Sequence, residues 1–144
     1  MNPIDGKFDN PSYEDVCDGH TGHIEVLHVL FDHTKVAYEE LVKFFFTFHD
    51  PTQPDRQMND TGTQYASAIF YHSDEQKEVA QKIKDLVQQK IEEGAIKKFE
   101  NSSVCTHILS ATKFWPAEDY HQRYLESQPW GYCNHSYRFD WDKI

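Results

Sequence analysis

The 144 residues hold no cluster of Lys or Arg, and 14 basic side chains stand against 24 acidic ones, a formal charge of −10. That balance argues against binding to a nucleic-acid backbone or an anionic membrane surface, both of which need a basic face. Long apolar runs are lacking too. Stretches such as Val29–Phe31 fall far short of the roughly 20 residues of a membrane span, and no signal-peptide pattern opens the chain. Cysteine is scarce, with only Cys17, Cys105 and Cys133, an odd and widely spaced set without a Cys-x-x-Cys pair. This is neither a secreted disulfide framework nor a zinc ribbon, and it points to a reducing compartment, the cytoplasm. Internal repeats, low-complexity tracts and interdomain linkers are absent, so 17.0 kDa fits one domain with one core.

What is present is aromatic. Mean hydropathy is −0.77, yet Phe, Tyr and Trp make up 15% of the chain, so the core is expected to be built from rings more than from aliphatic side chains. Met1 to Gly22 reads as turns and loop. His23 to Phe31, mostly β-branched or aromatic, reads as a buried strand. Tyr38, Leu41, Val42, Phe45 and Phe48 recur at three and four residues and predict an amphipathic helix over Tyr38 to Phe48. His49 to Gln64 has no periodicity, and loops of that length in compact domains tend to be functional or disordered. A second strand is expected over Tyr65 to His72, followed by a helix opened by a Ser73/Gln76 capping box and ended at Gly94. A third strand, Val104 to Leu109, a helix from Ala117 to Glu126 behind Pro116, and an aromatic, aperiodic tail from Ser127 complete the chain. Strands separated by helices predict a two-layer α+β domain with a mixed sheet.

Several residues could carry chemistry. Glu25 lies inside the apolar strand His23 to Phe31, where burial would raise its pKa and leave a carboxyl able to give up a proton at neutral pH. The alternation of a half-buried strand would instead put it on the solvated face. Asp60 and Tyr65 bracket Gly62 at the end of the long loop and could aim a carboxylate and a phenol at one ligand, or Asn59 and Asp60 could simply form an Asx turn. Nine histidines include His20, His23 and His28, but without a thiolate pair or a helical i, i+4 arrangement they read as surface or hydrogen-bonded residues, not metal ligands. Cys133, after Gly131 and Tyr132, is a candidate mobile thiol; Cys17 is a candidate reactive one, and Cys105 reads as inert.

The motifs Pro11-Ser12-Tyr13-Glu14-Asp15-Val16-Cys17, Thr21-Gly22-His23-Ile24-Glu25-Val26, His49-Asp50-Pro51-Thr52-Gln53, Arg56-Gln57, Asn59-Asp60, Gly62-Thr63-Gln64-Tyr65, Pro116-Ala117-Glu118-Asp119-Tyr120-His121-Gln122 and Gly131-Tyr132-Cys133 closely resemble those of the peptide methionine sulfoxide reductase A family. The resemblance runs from about Asn10 to the carboxyl terminus. It implies a two-layer α+β sandwich with a ferredoxin-like mixed sheet, and reduction of the S epimer of methionine sulfoxide, free or in oxidised proteins. In that reaction a thiolate attacks the sulfoxide sulfur while a carboxylic acid protonates its oxygen. A second cysteine then condenses with the sulfenic acid, and thioredoxin reduces the disulfide. The resemblance implies no metal and no organic cofactor, and a monomer.

Residue by residue, it makes Glu25 the proton donor, Tyr13 and Tyr65 the phenols on the sulfoxide oxygen, Asp60 the carboxylate that helps hold site and substrate, and Cys133 a recycling thiol. Cys17 matches a family cysteine without an agreed role. The family's nucleophile lies in a Gly-Cys-Phe-Trp motif ending its first strand, and that motif occurs nowhere in the 144 residues. The first strand is therefore expected to be missing, with unpaired edges and an uncovered apolar face, and the chain alone is expected to turn over little. The alternative is a catalytically inactive binding or regulatory remnant, or a truncated product, that keeps part of the sulfoxide pocket.

Overall fold

The apolar stripe of Tyr38, Leu41, Val42, Phe45 and Phe48 needs a partner surface, and it finds one on a second helix. In the computed structural model, which describes Asn2, Pro3 and residues 8–144, helix α2 spans Tyr38–Phe48, with the bounds the periodicity predicts. It packs against the longest helix, α3 (Asp74–Glu92). Val42, Phe46, Ile83, Val87, Ile96, Val104 and Phe139 form the core cluster, with Phe99 and Trp141 packed on it. Ser73 caps α3, its Oγ accepting the Gln76 N–H at 3.3 Å. The reciprocal bond of the capping box is displaced by one residue: Gln76 Oε1 accepts from His72 N–H at 2.8 Å. Gly94, at φ +73°, follows the helix end as expected, a left-handed conformation that suits glycine.

Two parallel strands flank α3 in sequence, β5 (Ala68–Tyr71) and β6 (His107–Ser110), in register Ile69 to Ile108. Parallel neighbours require a crossover, and α3 supplies it while packing on both strands. The other pairs are antiparallel and short: β1 (Asn2–Pro3) with β2 (His23–Ile24), and β3 (Arg56–Gln57) with β4 (Asp60–Thr61). The chain is α+β as expected. Among the described residues, however, the strands form three two-stranded pairs and not one continuous mixed sheet.

Five local expectations are corrected. The amino-terminal stretch contains a helix, α1 (Tyr13–Cys17), opened by a full capping box between Ser12 and Asp15. The strand expected over His23 to Phe31 stops at Ile24. No described strand pairs with residues 25–31, and Leu27 and Leu30 are 86% and 89% exposed; β-branched composition makes no strand where no neighbour takes the backbone hydrogen bonds. The second strand starts at Ala68 because Thr63–Tyr65 turns in a 3-10 helix. The third is shifted to His107–Ser110, since the Val104 and Cys105 N–H groups go to Gln88 Oε1 and to the Pro51 carbonyl. The final helix is broken into a 3-10 turn (Asp119–His121) and α4 (Tyr124–Ser127), with Arg123 at φ +51° between them.

The loop from His49 to Gln64 is ordered by buried polar groups that satisfy one another. Asp50 Oδ1 accepts from the Thr52 N–H and hydroxyl at 3.0 and 2.6 Å, and its Oδ2 accepts the Glu100 N–H at 2.9 Å. The Gln57 amide accepts the Asp50 N–H and donates to the Asp50 carbonyl, and Gln53 Oε1 accepts the Met58 N–H at 2.7 Å. His49, which opens this loop, is buried. Its Nδ1 lies 2.7 Å from the Phe45 carbonyl, and so carries the proton, while Nε2 sits 2.8 Å from the Ser67 hydroxyl, itself 2.9 Å from that of Thr106. Burial pushes its pKa down from 6.5 to about 4. The tail is tied back by Ser136 and Arg138, whose N–H groups donate to the carbonyls of Phe48 and Thr47. No helix among the described residues is long and apolar enough to cross a membrane.

Candidate functional site

Helix α1 exists because Ser12 and Asp15 cap it, and its i, i+4 spacing puts Tyr13 and Cys17 on one face. The Tyr13 N–H donates to both oxygens of Glu118, at 3.0 and 3.3 Å, and its ring lies on His121 with centroids 3.6 Å apart. At the other end of α1, the buried Gln64 donates from Nε2 to the Cys17 carbonyl at 2.9 Å. Its own carbonyl accepts the Glu25 N–H at 2.9 Å. One residue, through its side-chain amide and its backbone carbonyl, thereby joins the helix bearing Cys17 to the start of the segment bearing Glu25.

Gly62 makes that link possible. It sits at φ +143°, and a Cβ there would stand 2.2 Å from Gln64 Oε1 and 2.7 Å from its Cδ. Gly62→Ala is therefore expected to displace Gln64 and to destabilise the chain by about 1–3 kcal/mol, from overpacking plus backbone strain. Urea denaturation checks this, and an unchanged midpoint would show that Gln64 moves freely.

The phenols of Tyr13 and Tyr65 both lie close enough to the Cys17 thiol to interact with it. The neighbouring thiol, followed by burial and the Glu25 charge, raises the Tyr13 pKa far above its usual value. Burial and the charge of Glu25 push Tyr65 up to about 12. Both phenols therefore stay protonated and can donate. Glu25, just beyond β2, is half-buried, and its Oε1 is fully buried with no hydrogen-bond partner. Burial first, and the Asp60 carboxylate second, raise its pKa. Of the two readings open from sequence, the structure favours the desolvated acid over the solvated face.

Asp60, on β4, accepts from Asn134 Nδ2 at 2.6 Å, and the same nitrogen donates to the Gln57 carbonyl at 2.8 Å. Cys133 precedes that asparagine in the sequence and is exposed, with its sulfur 3.8 Å from His135 Nδ1. All three cysteines are free thiols. Cys105 stands apart, its thiol donating to the Pro51 carbonyl at 3.0 Å and raised in pKa by burial. Among the described residues no group of three His, Cys, Asp or Glu could hold a metal. His23 is buried with Nδ1 3.2 Å from the Thr21 carbonyl, and His28 stacks on His72 and Phe114.

Tyr13, Glu25, Asp60 and Tyr65 thus act on one another electrostatically around Cys17, and Asn134, next in sequence to Cys133, holds Asp60. Gln64, Asn134, Glu118 and His121 place these groups, and no pattern in the sequence marks them for that role. Only α1 carried a usable signal, because Ser12 and Asp15 are spaced as a capping box. Chemically, two phenolic O–H groups, and a carboxyl whose pKa is raised by burial, face a space beside a thiol that a neutral polar oxygen could occupy.

The sequence model described as "Peptide methionine sulfoxide reductase" matches residues 4–144. The chain is 47% identical over 129 residues to peptide methionine sulfoxide reductase MsrA of Acidobacterium capsulatum, covering 90% of this chain and 78% of that one. It is 46% identical over 128 residues to the MsrA of Rhodospirillum centenum, covering 89% of this chain but only 56% of the relative's length. Among solved structures, that of Mxr1 from Saccharomyces cerevisiae in reduced form superposes with a TM-score of 0.82 at 37% identity, over 96% of this chain and 74% of that one. Methionine sulfoxide reductase A of Corynebacterium diphtheriae superposes with a TM-score of 0.73 at 36% identity, over 87% and 60%. The matched span takes in every residue of the cluster around Cys17, and the chain belongs to the peptide methionine sulfoxide reductase family.

Proposed function

We propose that this site binds the S epimer of methionine sulfoxide, free or in oxidised proteins, and activates it for reduction to methionine in protein repair. The observation that carries the reading is the buried, unpartnered Oε1 of Glu25 beside two protonated phenols. A sulfoxide oxygen is a strong acceptor and would meet all three donors. As a thiolate attacks the sulfoxide sulfur, Glu25 gives its proton to the departing oxygen; methionine leaves, and the thiol is left as a sulfenic acid. Cys133 condenses with it, water departs, and a dithiol such as thioredoxin reduces the resulting disulfide. Electrons come from the dithiol, with no metal or organic cofactor, in a monomer working in the reducing cytoplasm. Asp60 adds its charge to burial in raising the pKa of Glu25 and helps hold the substrate.

Calorimetric titration with two peptides that differ only in sulfoxide configuration tests the reading. The S epimer is expected to bind about tenfold or more tightly than the R epimer, the worth of one or two oriented hydrogen bonds. Equal affinity, or no binding, would overturn it. Cys17 is the thiol held inside the cluster. With dithiothreitol, turnover of the 144-residue chain is expected to be small and to vanish in Cys17→Ser; robust turnover surviving that substitution would place the attacking thiol elsewhere.

A further inference from the structure

Away from the cluster, one positively charged side chain is incompletely used. Arg138 donates from Nη1 to the Lys98 carbonyl at 3.2 Å and from Nη2 to the sulfur of Met58 at 3.3 Å. Its Nε is buried and has no partner. Nε–H and Nη2–H form one edge of a guanidinium, the edge that grips two-lone-pair acceptors such as carboxylate oxygens. Of these two donors, Nη2 meets only a thioether, a weak acceptor, and Nε is left unmet. Met58 lies in the turn between β3 and β4, two residues before Asp60, and is 40% exposed.

We propose that Met58 is a reversible oxidation site whose sulfoxide oxygen is captured by the Nε/Nη2 edge of Arg138, clamping the carboxyl-terminal tail to the β3–β4 turn. The oxidant is a hydroperoxide: the Met58 thioether gives up two electrons, one oxygen atom is transferred to sulfur, and the hydroperoxide leaves as water or an alcohol. Reversal takes two electrons from a pair of thiols and releases the oxygen as water. The product replaces a thioether by a polar S=O whose oxygen accepts both N–H groups. The flexible, exposed Met side chain can withdraw to make room for it. Arg138 is already fixed to Thr47 through its N–H at 2.7 Å, and Asn134 already ties the tail to Asp60. The captured oxygen adds a second tether beyond Cys133, so oxidation of Met58 restrains the segment carrying that thiol. This inference does not depend on which substrate the site takes.

The test uses the full chain treated with limiting hydrogen peroxide, with mass spectrometry separating Met58 oxidation from oxidation of Met1, the other methionine. Amide exchange is then followed in peptides covering residues 134–139. The expected result is that chains oxidised at Met58 exchange about three- to tenfold more slowly there, the effect of one added hydrogen bond. Met58→Leu, treated alike, shows no slowing, and Arg138→Lys is oxidised without slowing. Unchanged or faster exchange after Met58 oxidation, or slowing that persists in Met58→Leu, would overturn the proposal, as would oxidation confined to Met1.

Discussion

Glu25→Gln is expected to separate binding from turnover. In the parent chain, affinity for an S-sulfoxide peptide should be highest at low pH and fall as the pH rises through the raised pKa of Glu25. Below that pKa the carboxyl donates to the sulfoxide oxygen; above it, an acceptor faces an acceptor. The loss should be about ten- to a hundredfold, because a hydrogen bond disappears and a charge stays desolvated beside the ligand. An amide donates at every pH, so Glu25→Gln should bind at neutral pH and lose this pH dependence. It has no proton to surrender, and its rate of sulfoxide reduction should fall by roughly 10²–10⁴. Stability moves as well. A carboxyl with a raised pKa contributes most below its unfolded value of 4.5 and loses that contribution as the pH rises through the folded value. Glu25→Gln removes this loss, and the variant should be the more stable one at neutral pH. Calorimetry and urea melts across pH measure both; a parent chain whose affinity is flat with pH would show that Glu25 does not meet the ligand as an acid.

His49 is expected to have the larger effect on folding, with the opposite sign in pH. It is held neutral in the core, its pKa pushed from 6.5 to about 4 by burial. The unfolded chain takes up a proton near pH 6.5 that the folded chain resists until about pH 4, so the stabilisation is whole above 6.5 and lost as the pH falls through that window. The gap is worth about 3 kcal/mol, a large fraction of the stability of an ordinary domain. His135, whose pKa is lowered mainly by burial, acts in the same direction. His49→Asn, which keeps a polar group but cannot titrate, isolates the His49 share. It should be less stable than the parent at pH 7 and show a flatter decline towards pH 4. Equal slopes in urea melts at pH 7, 5.5 and 4 would remove His49 as the source.

The parts of the fold legible in the sequence are those whose signal is local. The stripe from Tyr38 to Phe48 specifies α2 by its own spacing, and Ser73 specifies the start of α3 through a side chain that reaches one turn ahead. Where the outcome depends on distant partners, composition misleads. Residues 25–31 have strand-forming side chains but no described strand beside them. Ala117 to Glu126 has helical composition, yet Glu118 is bound to the Tyr13 N–H and Arg123 turns left-handed. The candidate site divides in the same way. An acid in an apolar run marks Glu25, and a place at a loop end marks Asp60 and Tyr65, but nothing local joins Tyr13 to Glu118 across 105 positions. The placing roles of Gln64 and Asn134 exist only once the chain has folded.

The core cluster beneath α2 and α3 draws none of its side chains from Tyr13, Cys17, Glu25, Asp60 or Tyr65. The two sets have no residue in common, so the free energies of substitutions in them should add, and a double-mutant cycle between Phe46 and Glu25 should close near zero. The chemistry of this chain can therefore be varied without eroding the reserve that keeps it folded. Residues 134–139 are the exception, because Asn134 serves Asp60 while Phe139 fills the core. In that one short segment, a change that retunes the site also draws on the stability of the whole domain.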